Sequence, residues 1–269
     1  MGVLNVTPDS FSDGGRYAEA DAAIVRGRAL VAAGADILDI GGESTRPGAP
    51  AVSEAEELRR VIPVIEGLRD SAAMLSIDTS KAAVAEAACA AGAAMINDVT
   101  GLYGDPAMPA VAAASQALVC LMHMQGTPET MQADPSYTDA LADVTQWLAG
   151  AVDHAVAAGV QRHRILLDPG IGFGKRLGHN LALIRGCGDL GRALGLPVLM
   201  GVSRKSFLGR ITGKPVNDRE WATAAAVTAC VLAGARVVRV HDVASMRDVV
   251  QVADALADRQ LPEGDQPNG

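Results

Sequence analysis

Read for its apolar and polar positions, the chain repeats one phrase: a short, largely apolar run, a polar or glycine-rich break, then an alanine-rich helical segment. The apolar runs are Val3–Val6, Ile37–Ile40, Met74–Ile77, Ala94–Ile96, Leu118–Met122, Ile165–Leu167, Val198–Val202 and Val237–Val240. Short, continuous apolar runs bounded by Gly and Pro read as strands buried on both faces, the habit of parallel sheets. Their alternation with helical segments predicts right-handed βαβ units. Eight such units in 269 residues suit an α/β fold, a single-domain (β/α)8 TIM barrel over residues 1–260, with 261–269 as a frayed tail. Helices over Asp21–Ala33 and Ala82–Ala91 stop at Gly34 and Gly92, and Ser53 before Glu54 and Glu56 marks a helix start. No Gly-x-Gly-x-x-Gly opens a helix after the first run, which argues against a dinucleotide fold.

The polar residues fall in a telling place. Asn5, Thr45, Asp78, Asn97, His123, Asp168, Lys205, Arg239 and His241 lie at, or shortly after, the carboxyl ends of the apolar runs. In a barrel those ends share one mouth, where this fold builds its chemistry. Ile165–Lys175 is the densest example: the run ends at Asp168, then Pro169 and the glycines 170, 172 and 174 delay the next helix. Such glycines let backbone approach a ligand, Phe173 offers a flat wall, and a buried carboxylate demands a partner. The connections Thr7–Arg16 and Gly41–Pro50 are rich in Gly, Pro and small polar residues, carry Phe11 and Arg46, and read as lids.

Composition narrows the partners. A formal charge of -8 argues against nucleic acid or an anionic membrane, so an anionic substrate needs a local basic cluster. Cys89, Cys120, Cys187 and Cys230 are scattered without C-x-x-C spacing and read as reduced core residues. The opening Met1–Asn5 has no signal-peptide pattern, and the longest uncharged runs are too short and too rich in small residues to span a bilayer. A cytoplasmic protein follows. No His or carboxylate cluster has zinc spacing. His154, His163 and His179 read as surface or helix-end residues, and His123 as a core residue without an assigned role.

Leu4–Gly15 and Gly41–Gly48 resemble the two signatures of the dihydropteroate synthase family. Ile77-Asp78-Thr79, Ile96-Asn97-Asp98, Leu121–Gly126, Asp168–Lys175, Ser203–Ser206 and Arg239–Val243 continue the resemblance in order, over nearly the whole chain. Members of that family condense 6-hydroxymethyl-7,8-dihydropterin diphosphate with p-aminobenzoate, releasing diphosphate with Mg2+ in folate synthesis. They are the target of sulfonamides and are usually homodimers through the later helices. Relative to the family, this chain starts inside the first strand signature, without a leading segment to cover the barrel's bottom, and stability at the closed end is the point affected. It also has Trp221-Ala222 where a Leu-Gly-like pair is common, a packing change.

The resemblance implies a division of labour that the residue types suit. Asp168 meets the two adjacent donors of the pterin's pyrimidine edge, Asp78 and Asn97 complete the edge, and Lys205 donates on the carbonyl side. Val99, Met122, Phe173 and Gly201 form the walls. Asn5, Thr45, Arg46, Arg239 and His241 gather the diphosphate, with Asn5 as the protein ligand of Mg2+. Phe11, Thr45, Pro47, Lys205 and Ser206 line the p-aminobenzoate subsite, with Ser206 and its helix start receiving the carboxylate. Catalytic duty falls to Lys205, Arg239, His241 and Asp78. Asp39 and Glu43 stay open between structural and functional roles. Rival readings are a methyltransferase barrel that binds methyltetrahydrofolate, a Schiff-base aldolase with Lys205 as nucleophile, and an inactive pterin-binding barrel.

Overall fold

A computed structural model describes residues 1–7, 16–44, 51–127 and 130–257 of the chain. Its strands are β1 (Gly2–Asn5), β2 (Ile37–Gly41), β3 (Met74–Asp78), β4 (Met95–Asp98), β5 (Leu118–Met122), β6 (Ile165–Asp168), β7 (Leu199–Met200) and β8 (Val237–Val238). The helices are α1 (Arg16–Ala32), α2 (Glu54–Leu68), α3 (Ala82–Ala91), α4 (Met108–Ser115), α5 (Ala140–Ala157), α6 (Leu177–Arg185), α7 (Cys187–Leu194), α8 (Ser206–Thr212), α9 (Glu220–Ala233) and α10 (Val243–Leu256). Strands β1 to β6 pair in order and in parallel, and β7 pairs with β8. Single bridges, Leu167 to Val198 and Gly2 to Val240, join these two sheets at both edges and close the barrel. The predicted (β/α)8 architecture is therefore present.

The strands alternate between two environments. Leu38, Ile40, Leu75, Ile77, Ile96, Val119 and Leu121 pack outward on the helices, in one cluster with Val61, Ile65, Val84 and Val144. Met1, Met95, Cys120, Leu166 and Leu199 form a second, smaller cluster inside the barrel. Toward the carboxyl ends the inner positions turn polar, with Asp39, Ser76, Asn97 and Asp168 all buried. The period of two along each strand produces this division.

Helix ends follow local chemistry. Ser53 caps α2 by accepting from Glu56 N, and Gly92 and Gly234 end α3 and α9 at φ 127° and 121°. Three expectations shift. Helix α1 begins at Arg16, ahead of Asp21, because the intervening residues are helix-compatible. Runs seven and eight contribute only two-residue strands, since Pro197 lacks an amide hydrogen and single bridges do the rest of the pairing. Trp221 is 84% exposed on α9, so the change there is not one of packing within the chain. No disulfide joins the four cysteines; Cys120, Cys187 and Cys230 are buried as expected, whereas Cys89 is only partly buried, and among the described residues no helix is long and apolar enough to cross a membrane. The segment 261–269 lies outside the described residues.

Ile65 is fully buried in the last turns of α2, away from the strand tips. Ile65→Ala is expected to cost about 2–5 kcal/mol in urea unfolding, a transfer plus cavity term. Turnover per folded molecule should stay unchanged.

Candidate active site

Strand register builds the mouth. Asn5 pairs with Gly41, Gly41 with Asp78, Asp78 with Asn97, and Met122 with Asp168, so the tips of neighbouring strands stand side by side. Arg239 reaches the same level because its amide donates to Met200 O at 3.0 Å. At the centre is one guanidinium between two carboxylates. Arg239 Nε donates to Asp39 at 2.6 Å and Nη2 to Asp78 at 2.8 Å. Ser76 and Asn97 also donate to Asp39, at 2.7 and 3.0 Å. Asp39 thus has the Ser76 hydroxyl on one oxygen and Arg239 with Asn97 on the other, which is how a carboxylate survives full burial.

The electrostatics follow from that arrangement. Burial opposes the Arg239 charge, but Asp39 and Asp78 outweigh it and hold its pKa above the usual arginine value. Asp78 is pushed up to about 7, by burial first and by the Asp39 charge second, against the pull of Arg239. Lys205 is lowered to about 8 by burial and by Arg239. Asp168 is raised by burial, while the Gly170 N–H bond and the charges of Lys205, Lys175 and Arg239 oppose that rise. The mouth therefore holds several groups whose charge changes near neutral pH, a frequent mark of functional sites.

A cavity of about 460 Å3 collects the tips. It is lined by Asp78, Asn97, Val99, Met122, Asp168, Phe173, Gly201, Lys205, Arg239 and His241, ten of the residues the sequence singles out. Lys205 Nζ lies 4.2 Å from the centroid of the Phe173 ring, a cation on an aromatic face. Asn97 spends an amide hydrogen on Asp39 and keeps its oxygen as an acceptor. Ile171 and Ser203 also line the cavity and were not singled out. Ser203 Oγ accepts from His241 N at 3.2 Å and lies 3.1 Å from its Nδ1. With its hydrogen given to Nδ1, the imidazole proton sits on Nε2.

Other expected residues lie elsewhere. Ser206 is exposed at the start of α8 and Asn5 is half-buried at the tip of β1, and neither lines this cavity. Phe11, Thr45, Arg46 and Pro47 lie outside the described residues, as does most of both expected lids. Asp39 proves to be a charge partner inside the barrel. Glu43 is an anchor: it accepts from Val52 N at 3.0 Å and pairs with Lys81, which also bonds the buried Glu57 at 2.5 Å. Their partners are distant in sequence, so no local pattern distinguishes them.

For the Mg2+ that the resemblance implies, Asn5 is the residue that could serve as a protein ligand. The Asn5 amide makes no hydrogen bond among the described residues, and a neutral oxygen suits a hard cation that takes its other ligands from phosphate and water. A larger cavity, about 670 Å3, opens at the opposite end by Met1, Ile37 and Val237. Its charged lining residues are Asp36, Arg236 and Arg247, with Arg247 3.4 Å from Asp36, and none of the residues that the sequence singles out as site residues lines it.

Known proteins resemble this chain over nearly its whole length. Residues 1–241 match the family described as pterin binding enzyme. A dihydropteroate synthase of Synechocystis is 47% identical over 258 residues, 95% of this chain and 89% of that protein. The Yersinia pestis dihydropteroate synthase, solved with a sulfonamide drug, has a TM-score of 0.90 at 44% identity, covering 96% of this chain and 94% of that one. The Xanthomonas albilineans enzyme in complex with 7,8-dihydropteroate has a TM-score of 0.86 at 43% identity, over 97% of this chain and 94% of that one.

Asp78 has a folded pKa above that of an unfolded Asp, so folding takes up protons there. Its favourable contribution is present at low pH and lost as pH rises through about 7. Asp78→Asn removes this cost while Arg239 keeps Asp39. The melting temperature of the variant relative to the parent should rise between about pH 5 and pH 8 in scanning calorimetry. A constant difference across that window would contradict the assignment.

Proposed function

This chain belongs to the dihydropteroate synthase family of pterin-binding enzymes, and from that premise we propose how its residues divide the reaction. The enzyme condenses 6-hydroxymethyl-7,8-dihydropterin diphosphate with p-aminobenzoate in folate biosynthesis, giving 7,8-dihydropteroate and diphosphate. The observation that carries the division is the convergence of Asp168, Asn97, Lys205 and the Asp39–Arg239–Asp78 network on one cavity. Asp168 accepts the two adjacent N–H groups of the pterin edge. Asn97 and Asp78 continue that edge, and Lys205 donates to the pterin carbonyl side. Phe173, Met122, Val99 and Gly201 enclose the ring system.

The C–O bond at the pterin methylene breaks with its electron pair leaving on the diphosphate. Arg239 and the Nε2–H of His241 meet that growing charge from the tip of β8. Donors fixed before the reaction stabilise developing charge without reorganising. Arg239 is fixed by two carboxylates, and this orients its remaining donors toward the mouth. Asn5 would hold Mg2+, which when bound neutralises part of the diphosphate charge. Thr45 and Arg46 complete the anion pocket. The aniline nitrogen of p-aminobenzoate then forms the new C–N bond and gives its proton to water, so no strong base is needed. Lys205 and Ser206, with Phe11, Thr45 and Pro47, hold the second substrate, and sulfonamides compete there.

Four cysteines without a disulfide suit the reducing cytosol. A homodimer through the later helices is the assembly we propose, with exposed Trp221 and Leu232 of α9 on its face. Sedimentation should give twice the 27.6 kDa chain mass. A monomer at micromolar concentration would reject this assembly.

The central test is diphosphate release from the pterin substrate with and without p-aminobenzoate and Mg2+. Release that requires all three components is expected. Asp168→Asn should weaken pterin diphosphate binding by about 1.5–3 kcal/mol, the loss of a charge-assisted hydrogen-bonded pair. Unchanged affinity in calorimetry would overturn the place given to Asp168.

A further inference from the structure

One cation of the mouth has no part in the chemistry above. Lys175 is 3% exposed, yet among the described residues no carboxylate is a hydrogen-bond partner of it. Its Nζ lies 2.9 Å from His123 Nδ1, 2.9 Å from the Phe173 carbonyl oxygen and 3.3 Å from the His123 carbonyl oxygen. An ammonium so deeply buried is costly unless the surroundings use its charge.

Everything around it grips one turn. Gly170, at φ +68°, lies so close on the His123 carbonyl oxygen that a Cβ there would collide with it. Gln132 Nε2 donates to Gly172 O at 2.6 Å and Tyr137 Oη to Gly174 O at 2.7 Å. The connection after β5 thereby holds the backbone on both sides of Phe173, and Lys175 bonds Phe173 itself. The same turn carries Gly170, whose amide donates to Asp168 at 2.7 Å.

We infer that Lys175 is a positioning residue of the pterin subsite, its buried ammonium tying Phe173 to the tip of β5 and setting its charge against Gly170, the residue whose amide bonds Asp168. The inference rests on Asp168 being the carboxylate that grips the pterin. The groups around Asp168 on neighbouring tips are Lys205, Arg239, His241, Asp78 and Asp39, with Cys120 and His123 on the β5 side. Burial and then Lys175 lower His123 to about 3, so it stays neutral, and burial keeps Cys120 a thiol. Lys175 itself is lowered to about 7, by burial first, and is therefore charged below that pH. Burial raises Asp168, and the charge of Lys175, after the Gly170 bond and Lys205, is among the contributions that oppose that rise.

The test compares the parent, Lys175→Gln, Lys175→Met and Asp168→Asn. Pterin diphosphate affinity is measured from about pH 5 to 9 by calorimetry, together with KM for p-aminobenzoate and the melting temperature. Lys175→Gln can keep hydrogen bonds to the carbonyls but not the charge. It should weaken pterin diphosphate binding about tenfold at the acid end, converge on the parent at the alkaline end, and move the acid limb up by about one pH unit. KM for p-aminobenzoate should change less than about twofold. Lys175→Met should move the limb equally and add a pH-independent loss from the freed Phe173; if it does not fold, the Gln variant reads the charge alone. An acid limb that stays in place, or equal losses for both substrates, overturns the role of Lys175. Parent-like affinity in Asp168→Asn instead removes the carboxylate assignment, and the inference falls with it.

Discussion

The mouth of this barrel depends on a single desolvated guanidinium. Arg239 spans from Asp39, inside the barrel, to Asp78, at its rim, and each of those carboxylates has further contacts with the cavity or with Ser76 and Asn97. Removing one partner from such a network leaves a buried charge uncompensated, a loss of about 3–5 kcal/mol. The network is thus needed for folding and for function at once. It keeps a guanidinium at the mouth of a chain whose net charge is -8.

The barrel interior is graded to allow this. Its closed end is filled by Met1, Met95, Cys120, Leu166 and Leu199, which need no polar partners. The polar layer begins only where the strands end, and there each buried group has a donor or acceptor within reach. The outer faces of the same strands pack on helices through apolar side chains, so the polar interior does not interrupt the main core. Stability and chemistry occupy opposite faces of the same eight strands.

A second fixed element is the turn after β6. Three of its glycines, 170, 172 and 174, have positive φ, and they let backbone carbonyls accept from Lys175, Gln132 and Tyr137. A loop that reads as soft in composition is in fact bolted on several sides. Phe173 can then serve as a rigid wall, and Lys205 rests on its ring. Burial shifts Asp78, Lys175 and Lys205 toward neutral pH, at an energetic cost to their charged forms.

The sequence by itself determined the strand-helix alternation, the helix caps at Gly34 and Gly92, and the residues at the strand tips. These are local signals: apolar runs, glycine at chain reversals, and polar residues just after the runs. The family motifs, read residue by residue, extended this to ten residues that share the cavity. Only the tertiary structure decided who pairs with whom. Asp39 looks like an ordinary polar residue in a strand, and its partner Arg239 is 200 residues away. Lys175 and His123 are 52 residues apart, and Glu43 reaches Lys81 and through it Glu57 across two βα units. Charge compensation in a closed barrel is a property of the ring, and no window of sequence contains a ring.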